Sequence, residues 1–409
     1  MLLKNFPPYN EMMQQAKSSP FEVLNINGHI HTPYSFSAFS GMDQIFEMAQ
    51  EERIKSLGIN DFYVTDGYEE FCGLASRYRI FPMFNIESIA LSKKQQTDGI
   101  RVNDPNNPGR TYFSGKGLDY PVTLAGEHRD LLESVKAESQ RQVADMIARL
   151  NDWLKELGIR LSFTYDEIRK RYARQLVRER HIAQALRIAV FELVDDDAGR
   201  KTVLEKIYSG QPTTVNINNA AALENELRNR LLKAGGKAFV EEDEKAFLSV
   251  EQVKQIYLKA GGIPCYPVLL DDAKGNFTEF EADREQMCKE LLAQNIYSIE
   301  LIPGRNKLEI LEPFVRYFEE KGFVITFGTE HNAPGLIPLT VTCSGNTELT
   351  EYLKRVNYEG TCVIAAHQYL RSQGEKGYVD ENGKADIIRR SEFVELGNAI
   401  IRKWAGGLE

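Results

Sequence analysis

His29-Ile30-His31-Thr32 follows directly on the run Phe21-Glu22-Val23-Leu24-Asn25-Ile26. Side chains alternate faces along an extended strand, so residues two apart point the same way. Two imidazoles at that spacing can grip one metal ion from a strand end. The chain has six histidines in all, which gives weight to two of them within three residues. A bare H-x-H also serves as a hydrogen-bonded or solvated pair, so the rest of the chain must decide between the uses.

Further His, Asp and Glu recur where β-rich runs end. Asp66 follows Tyr63-Val64-Thr65, Glu87 follows Phe84-Asn85-Ile86, and Glu330 and His331 follow Val324-Ile325-Thr326-Phe327 with two residues between. His128, in Ala125-Gly126-Glu127-His128, and His181, in Arg178-Glu179-Arg180-His181-Ile182-Ala183, lie on helical or loop segments. Groups at successive strand ends of one barrel converge on a single pocket. Imidazole with carboxylate suits zinc, manganese or iron, and a carboxylate can bridge two ions.

The elements that must position these groups alternate. Short apolar strands are expected at 21–26, 61–65, 81–86, 262–268, 297–302 and 323–327, bounded by Gly, Pro, Asn or Asp. Between them run helical patterns. Val143, Met146, Ile147, Leu150, Trp153, Leu154 and Leu157 form an apolar stripe that stops at Gly158. Thr164-Tyr165-Asp166-Glu167 and Ser249-Val250-Glu251-Gln252 are capping-box patterns, the second helix stopping at Gly261-Gly262. Strand–helix alternation implies an α/β fold with a parallel sheet. No glycine-rich phosphate loop follows the first strand, and an H-x-H there favours a barrel over a doubly wound sheet.

Three regions fall outside the alternation. Residues 1–20 read as a polar N-terminal arm, and the barrel is expected over 21–340, with insertions near 93–121 and 200–248. Residues 341–409 read as a C-terminal helical subdomain, where His367 is expected to cap or pack.

The ordered motifs resemble the PHP (polymerase and histidinol phosphatase) family of metal-dependent phosphoesterases. Asn27-Gly28-His29-Ile30-His31-Thr32-Pro33-Tyr34-Ser35 is similar to its first motif, and Val64-Thr65-Asp66-Gly67 to its second, which normally ends Thr-Asp-His. Asn85-Ile86-Glu87 resembles its Gly-x-Glu strand, Arg180-His181-Ile182-Ala183 its Pro-His-Ile-Ala helix, and Gly328-Thr329-Glu330-His331 its closing Gly-Ser-Asp-x-His. The resemblance implies a distorted (β/α)7 TIM-like barrel and hydrolysis of a small phosphorylated metabolite. It implies a first ion on His29, His31, Glu87 and Glu330, and a second on Glu87, His128 and His181. The family's third ion needs positions that fall here on Phe36 or Ser37, on Gly67, and on a closing motif one residue short, so two divalent ions are expected and the third site is lost. His331 and Asp66 are then the candidate catalytic residues, and Arg178, Arg180 and Arg305 the cations for phosphate oxygens. Tyr266 stands where many relatives carry a His before Pro267.

Composition bounds the alternatives. A formal net charge of −9 argues against a general nucleic-acid or anionic-membrane binder. Five scattered cysteines without C-x-x-C fit reduced thiols, and no stretch reads as a signal peptide or membrane span, so the cytoplasm is the expected location. Two other readings stay open. One is a degenerate barrel that only binds a ligand or partner. The other is an amidohydrolase-type metal hydrolase, which also begins with H-x-H but typically needs a bridging lysine or carboxylate.

Overall fold

The computed structural model describes residues 2–18, 20–272 and 275–406. Seven strands make one sheet in chain order: β1 (Ile26–Ile30), β2 (Ser56–Phe62), β3 (Phe81–Leu91), β4 (Arg110–Lys116), β5 (Ile263–Val268), β6 (Ser298–Leu301) and β7 (Val324–Phe327). Except at Arg110 and Tyr112 of β4 and Pro267 of β5, every residue of these strands is buried, as expected of strands covered on both faces. The β1–β2, β2–β3, β5–β6 and β6–β7 pairs are parallel, whereas β4 runs antiparallel to both β3 and β5. The sheet curls into a nearly closed barrel, the distorted (β/α)7 TIM-like barrel that the resemblance implied.

Helix α1 (Tyr9–Ser18) precedes the barrel, α2 (Met42–Glu51) and α3 (Tyr68–Tyr78) follow β1 and β2, and the short α4 (Lys93–Thr97) follows β3. An excursion of α5 (Glu127–Glu156), α6 (Tyr165–Tyr172), α7 (Glu179–Leu193), α8 (Asp197–Ile207) and α9 (Ala220–Leu227) separates β4 from α10 (Val250–Lys259). The rest are α11 (Arg284–Ala293), α12 (Leu308–Glu320), α13 (Glu351–Ser372) and α14 (Arg390–Trp404). Both predicted capping boxes are formed, at Thr164 and Ser249, each satisfying two otherwise orphaned groups for about 0.5–2 kcal/mol. Among the described residues no helix is long and apolar enough to cross a membrane, and all five cysteines are buried free thiols.

Several boundaries differ from the sequence reading. The stretch 93–121 is not merely a loop: its second half is β4, whose Thr111-Tyr112-Phe113 suits a strand but is masked by the Gly-, Pro- and Asn-rich turn before it. β1 lies later than expected and includes His29, and β2 lies earlier, ending at Phe62. The helical excursion begins at α5 and has its own apolar cluster, including Leu150, Leu186 and Leu223. α13 and α14 share one core with α1 and with Ile26, Phe81, Ile263 and Val324 of the strands, so the C-terminal helices are built into the barrel's base.

The seam between β7 and β1 has no regular ladder. At the mouth, the carbonyl of His29 accepts from the backbone N–H groups of Thr329 (3.1 Å) and Glu330 (3.0 Å), and His31 N–H donates to the carbonyl of Glu330 (2.7 Å). Lower down, α13 supplies the missing rung. Asn357 Oδ1 accepts from Phe327 N–H (2.7 Å), and its Nδ2 donates to the carbonyl of Ile26 (3.3 Å). Gly360 makes that approach feasible, since a Cβ there would sit 2.0 Å from the carbonyl oxygen of Ile325. His367, farther along α13, works beside the start of β5. It contacts the Gly261 carbonyl through Nε2 (2.6 Å) and accepts from Tyr378 N–H (2.8 Å), the packing role expected of it.

Candidate metal centre

β1 carries His29 and His31 into the barrel mouth while Ile30, between them, joins the hydrophobic core. Both imidazoles are buried, and their Nε2 atoms lie 3.3 Å apart. Glu87, on β3, brings Oε2 to 3.3 Å from His31 Nε2, and that oxygen has no hydrogen-bond partner. A buried carboxylate oxygen left unpaired costs free energy unless a cation meets it. Among the described residues, His29, His31 and Glu87 are the group whose ligand atoms converge, all within 4.8 Å of one another.

Neighbouring residues fix which nitrogen of each ring is free. His29 Nδ1 lies 2.8 Å from Glu300 Oε2, and a carboxylate only accepts, so Nδ1 carries the proton. Asn60 Nδ2 is 3.2 and 3.1 Å from the two nitrogens of that ring, nearly equidistant and therefore off the lone-pair axis of each. His31 Nδ1 lies 3.4 Å from Ser35 Oγ, whose own hydroxyl donates to Asp61 Oδ1 at 2.6 Å. Asp61 also accepts from Thr32 N–H (2.8 Å), which pins the segment after β1. Both Nε2 atoms are therefore the free ring nitrogens, their rings held by outer carboxylates, as in ligating histidines. The donor set fits a divalent ion such as zinc, manganese or iron.

The charges around this trio are uneven. Burial pushes the Glu87 carboxyl up to about 8, and Glu330 and Glu300 add to that push while His29 and Lys116 oppose it. Glu300, on β6, is equally buried, yet Lys116 and His29 hold it well below the usual carboxylate range. Lys116 ends β4 inside the barrel, where its ammonium bonds Glu300 Oε2 and Asn60 Oδ1 (3.1 Å). Burial lowers the His31 pKa and favours its neutral, ligating form. Glu330 pairs with Arg305 at the mouth, and despite burial Arg305, His29 and His31 keep its carboxyl lowered. Glu330 and His331 occupy consecutive left-handed positions (φ 64° and 57°), a strained turn of the kind that collects at functional sites.

The other sequence candidates scatter. His128 sits half-exposed in the first turn of α5 and makes no hydrogen bond among the described residues. His181 is buried on α7, but its Nδ1 accepts from Arg178 N–H (2.9 Å) and its ring packs edge-on against Phe36. Burial and Arg178 push its pKa down to about 3. Glu87, His128 and His181 therefore do not form the expected second ion site. Asp66 is exposed on the turn before α3, and the buried carboxylate of that strand is Asp61. His331 has both ring nitrogens engaged, with Thr329 Oγ1 (2.8 Å) and the Ile337 carbonyl (2.9 Å), and it stacks on Phe39. That commitment removes the free proton a general acid needs.

Three arginines border the site. Arg178 lies 4.9 Å over the ring of Phe62, which also stacks on His31, and makes no ion pair among the described residues. Arg180 lies over Phe36 and donates to Asn225 Oδ1 (2.9 Å); burial and Arg228 pull its guanidinium down to about 10. Arg305 is the one bound to a site carboxylate. Sequence reasoning missed Lys116, Glu300, Asn60 and Asp61. The available signal was the single charge of Glu300 within Ser298-Ile299-Glu300-Leu301.

No protein-family profile matches the chain, and no curated protein matches it in sequence. Solved structures do match. A candidate metal-dependent phosphoesterase from Bifidobacterium adolescentis superposes with a TM-score of 0.52 at 16% identity, over 82% of this chain and 96% of that one. An amidohydrolase from Chromobacterium violaceum, with sulfate bound and no metal, gives 0.52 at 15% identity over 81% and 96%. At such identities the likeness shows the fold: this chain is an α/β barrel of the same build.

Proposed function

We propose that the protein is a metal-dependent phosphoesterase of the PHP kind, which hydrolyses a small phosphorylated metabolite at the barrel mouth. The observation that carries the reading is the convergence of His29 Nε2, His31 Nε2 and the unpaired Glu87 Oε2. These three would hold one divalent ion, with Glu330 beside them. When bound, the ion would supply Lewis-acid activation of water and of a phosphoryl oxygen. A fold likeness to a candidate metal-dependent phosphoesterase supports the class.

The protein's own groups divide the remaining work. Glu300 and the Ser35–Asp61 pair orient the two imidazoles. Glu330, kept ionised beside Arg305, is placed to take the proton of the attacking water. The water oxygen bonds to phosphorus, the ester P–O bond breaks, and the leaving alkoxide takes up the proton that Glu330 received from the water. Arg305, with Arg178 and Arg180 further out, suits the negative phosphoryl oxygens, the planar guanidinium being the natural partner. His331 and Asp66 are not assigned a proton-transfer role, for the geometric reasons above.

The amidohydrolase reading draws on the second structural neighbour and on a buried strand-end lysine, Lys116. That lysine is already committed to Glu300 and Asn60, which favours the phosphoesterase. The deciding experiment compares phosphomonoesters, phosphodiesters and cyclic amides with metal-loaded protein and His29→Ala as control. Phosphoester turnover that falls at least about 10²-fold in His29→Ala is expected. Turnover of cyclic amides alone would transfer the protein to the amidohydrolase class, and turnover of none would leave a ligand-binding barrel.

A further inference from the structure

Lys116 has a side chain with no exposed surface, deep in a barrel whose other buried charges are carboxylates. A lysine is rarely buried so completely unless it is paired, and this one is paired on two sides. Its ammonium bonds Glu300 Oε2, the oxygen that also receives His29 Nδ1–H, and donates to Asn60 Oδ1 at 3.1 Å. Asn60 in turn lies against the His29 ring. Lys116 thus stands one bond behind a ligand of the candidate centre, in contact with the carboxylate that orients it.

A charge count sharpens this. Glu87, Glu300 and Glu330 bring three carboxylates to the mouth and upper interior. Lys116 is paired with Glu300 and Arg305 with Glu330, which leaves Glu87 without a cation. With the buried Asp61 carboxylate behind His31 counted as well, one divalent ion at His29, His31 and Glu87 completes the balance, and a second would put excess positive charge into a low-dielectric interior.

We propose that Lys116 is the centre's built-in second cation: its ammonium holds Glu300 as an outer-sphere carboxylate and so limits the site to a single metal ion. The inference rests on the metal-binding part of the proposed function and deepens it. Lys116 is a positioning residue, acting through Glu300 and Asn60 on His29. A neutral side chain at 116 frees Glu300, which has a second oxygen with no partner (Oε1), as a ligand for a further ion.

The test is metal stoichiometry of the full chain with Mn2+, by equilibrium dialysis with metal analysis and by EPR, which separates isolated from spin-coupled ions. Wild type is expected to take up one equivalent with an uncoupled signal. Lys116→Met is expected to take up two, with coupling, and Lys116→Arg to stay at one. The double variant Lys116→Met/Glu300→Gln, lacking both charges, should also return to one. If Lys116→Met fails to fold, Lys116→Gln can still donate to Glu300 and Asn60 and carries the same expectation. Two equivalents in wild type, or one in both neutral variants, would overturn the proposal while leaving a metal-dependent phosphoesterase standing. No uptake by wild type, with uptake likewise absent in His29→Ala, would overturn both.

Discussion

Glu87 and Glu300 stand on strands β3 and β6 of one barrel, both buried and each in contact with one histidine of the H-x-H pair. Their charge states are nonetheless opposite. Glu300 has Lys116, and its carboxyl is held low; Glu87 has no fixed cation and is pushed up to about 8. Burial is common to both, so burial does not set the difference. What does is whether the fold itself provides the compensating charge. Where it does, the carboxylate stays ionised and orients His29; where it does not, the carboxylate is left unpaired beside His31 with its pKa raised.

The hardest way to break that contrast is to remove Lys116. In metal-free protein, Lys116→Met leaves Glu300 buried with an uncompensated charge and should cost about 3–5 kcal/mol by urea unfolding. Lys116→Met/Glu300→Leu should recover most of it; equal losses in the two would mean that packing, not charge, is what Lys116 supplies.

Next in size is the pH dependence that Glu87 imposes. Its folded-state pKa lies above the ordinary 4.5, so the native state holds the proton where the unfolded chain has released it. Stability of metal-free protein should therefore fall by several kcal/mol as pH rises from about 4.5 to about 8. Glu87→Gln should flatten that slope, and a saturating divalent ion should reverse it. An unchanged slope in Glu87→Gln would show that another group titrates there.

Smaller effects probe the orienting bonds. Glu300→Gln keeps the side chain's size but weakens its grip on His29 Nδ1–H, and should weaken metal affinity about 10–100-fold by competition titration. Ser35→Ala leaves Asp61 in place and loses only the relay to His31. A loss of about 1 kcal/mol in binding, several-fold in affinity, is expected. Should Ser35→Ala prove the more damaging of the two, the order of importance of the two histidines' supports would be inverted.

Much of this was legible in the chain. His29, His31 and Glu87 announce themselves because the spacing that makes chemistry is local: two residues along one strand, and a single acid after an apolar run. The barrel was legible for the same reason, since alternation of short apolar runs with capped helices is a one-dimensional pattern. Lys116 and Glu300 are different. Each is ordinary in its own segment, and their meaning arises only when antiparallel β4 and parallel β6 face one interior. Lys116 was further hidden because β4 follows a turn-rich stretch and ends in Ser114-Gly115-Lys116. His128 shows the opposite error. It falls in the right order along the chain, but order is not proximity, and α5 leaves it half-exposed. Asp66 stands at the end of a strand read over 61–65 but lies beyond the strand itself, because β2 stops at Phe62.

Asn357 fills the seam between β7 and β1 with a side-chain amide, joining Ile26 to a helix 331 residues later in the chain. This has a consequence for biosynthesis. The strand that bears His29 leaves the ribosome long before α13, whose Asn357 completes the lower part of its edge. Until α13 has been made, the lower part of the β7–β1 seam lacks its rung. A loop of that length closes late, because its entropy must be met before the contact repays it. Completion of the seam is thus tied to the late arrival of α13, and a chain stalled before residue 351 would lack the rung that Asn357 supplies.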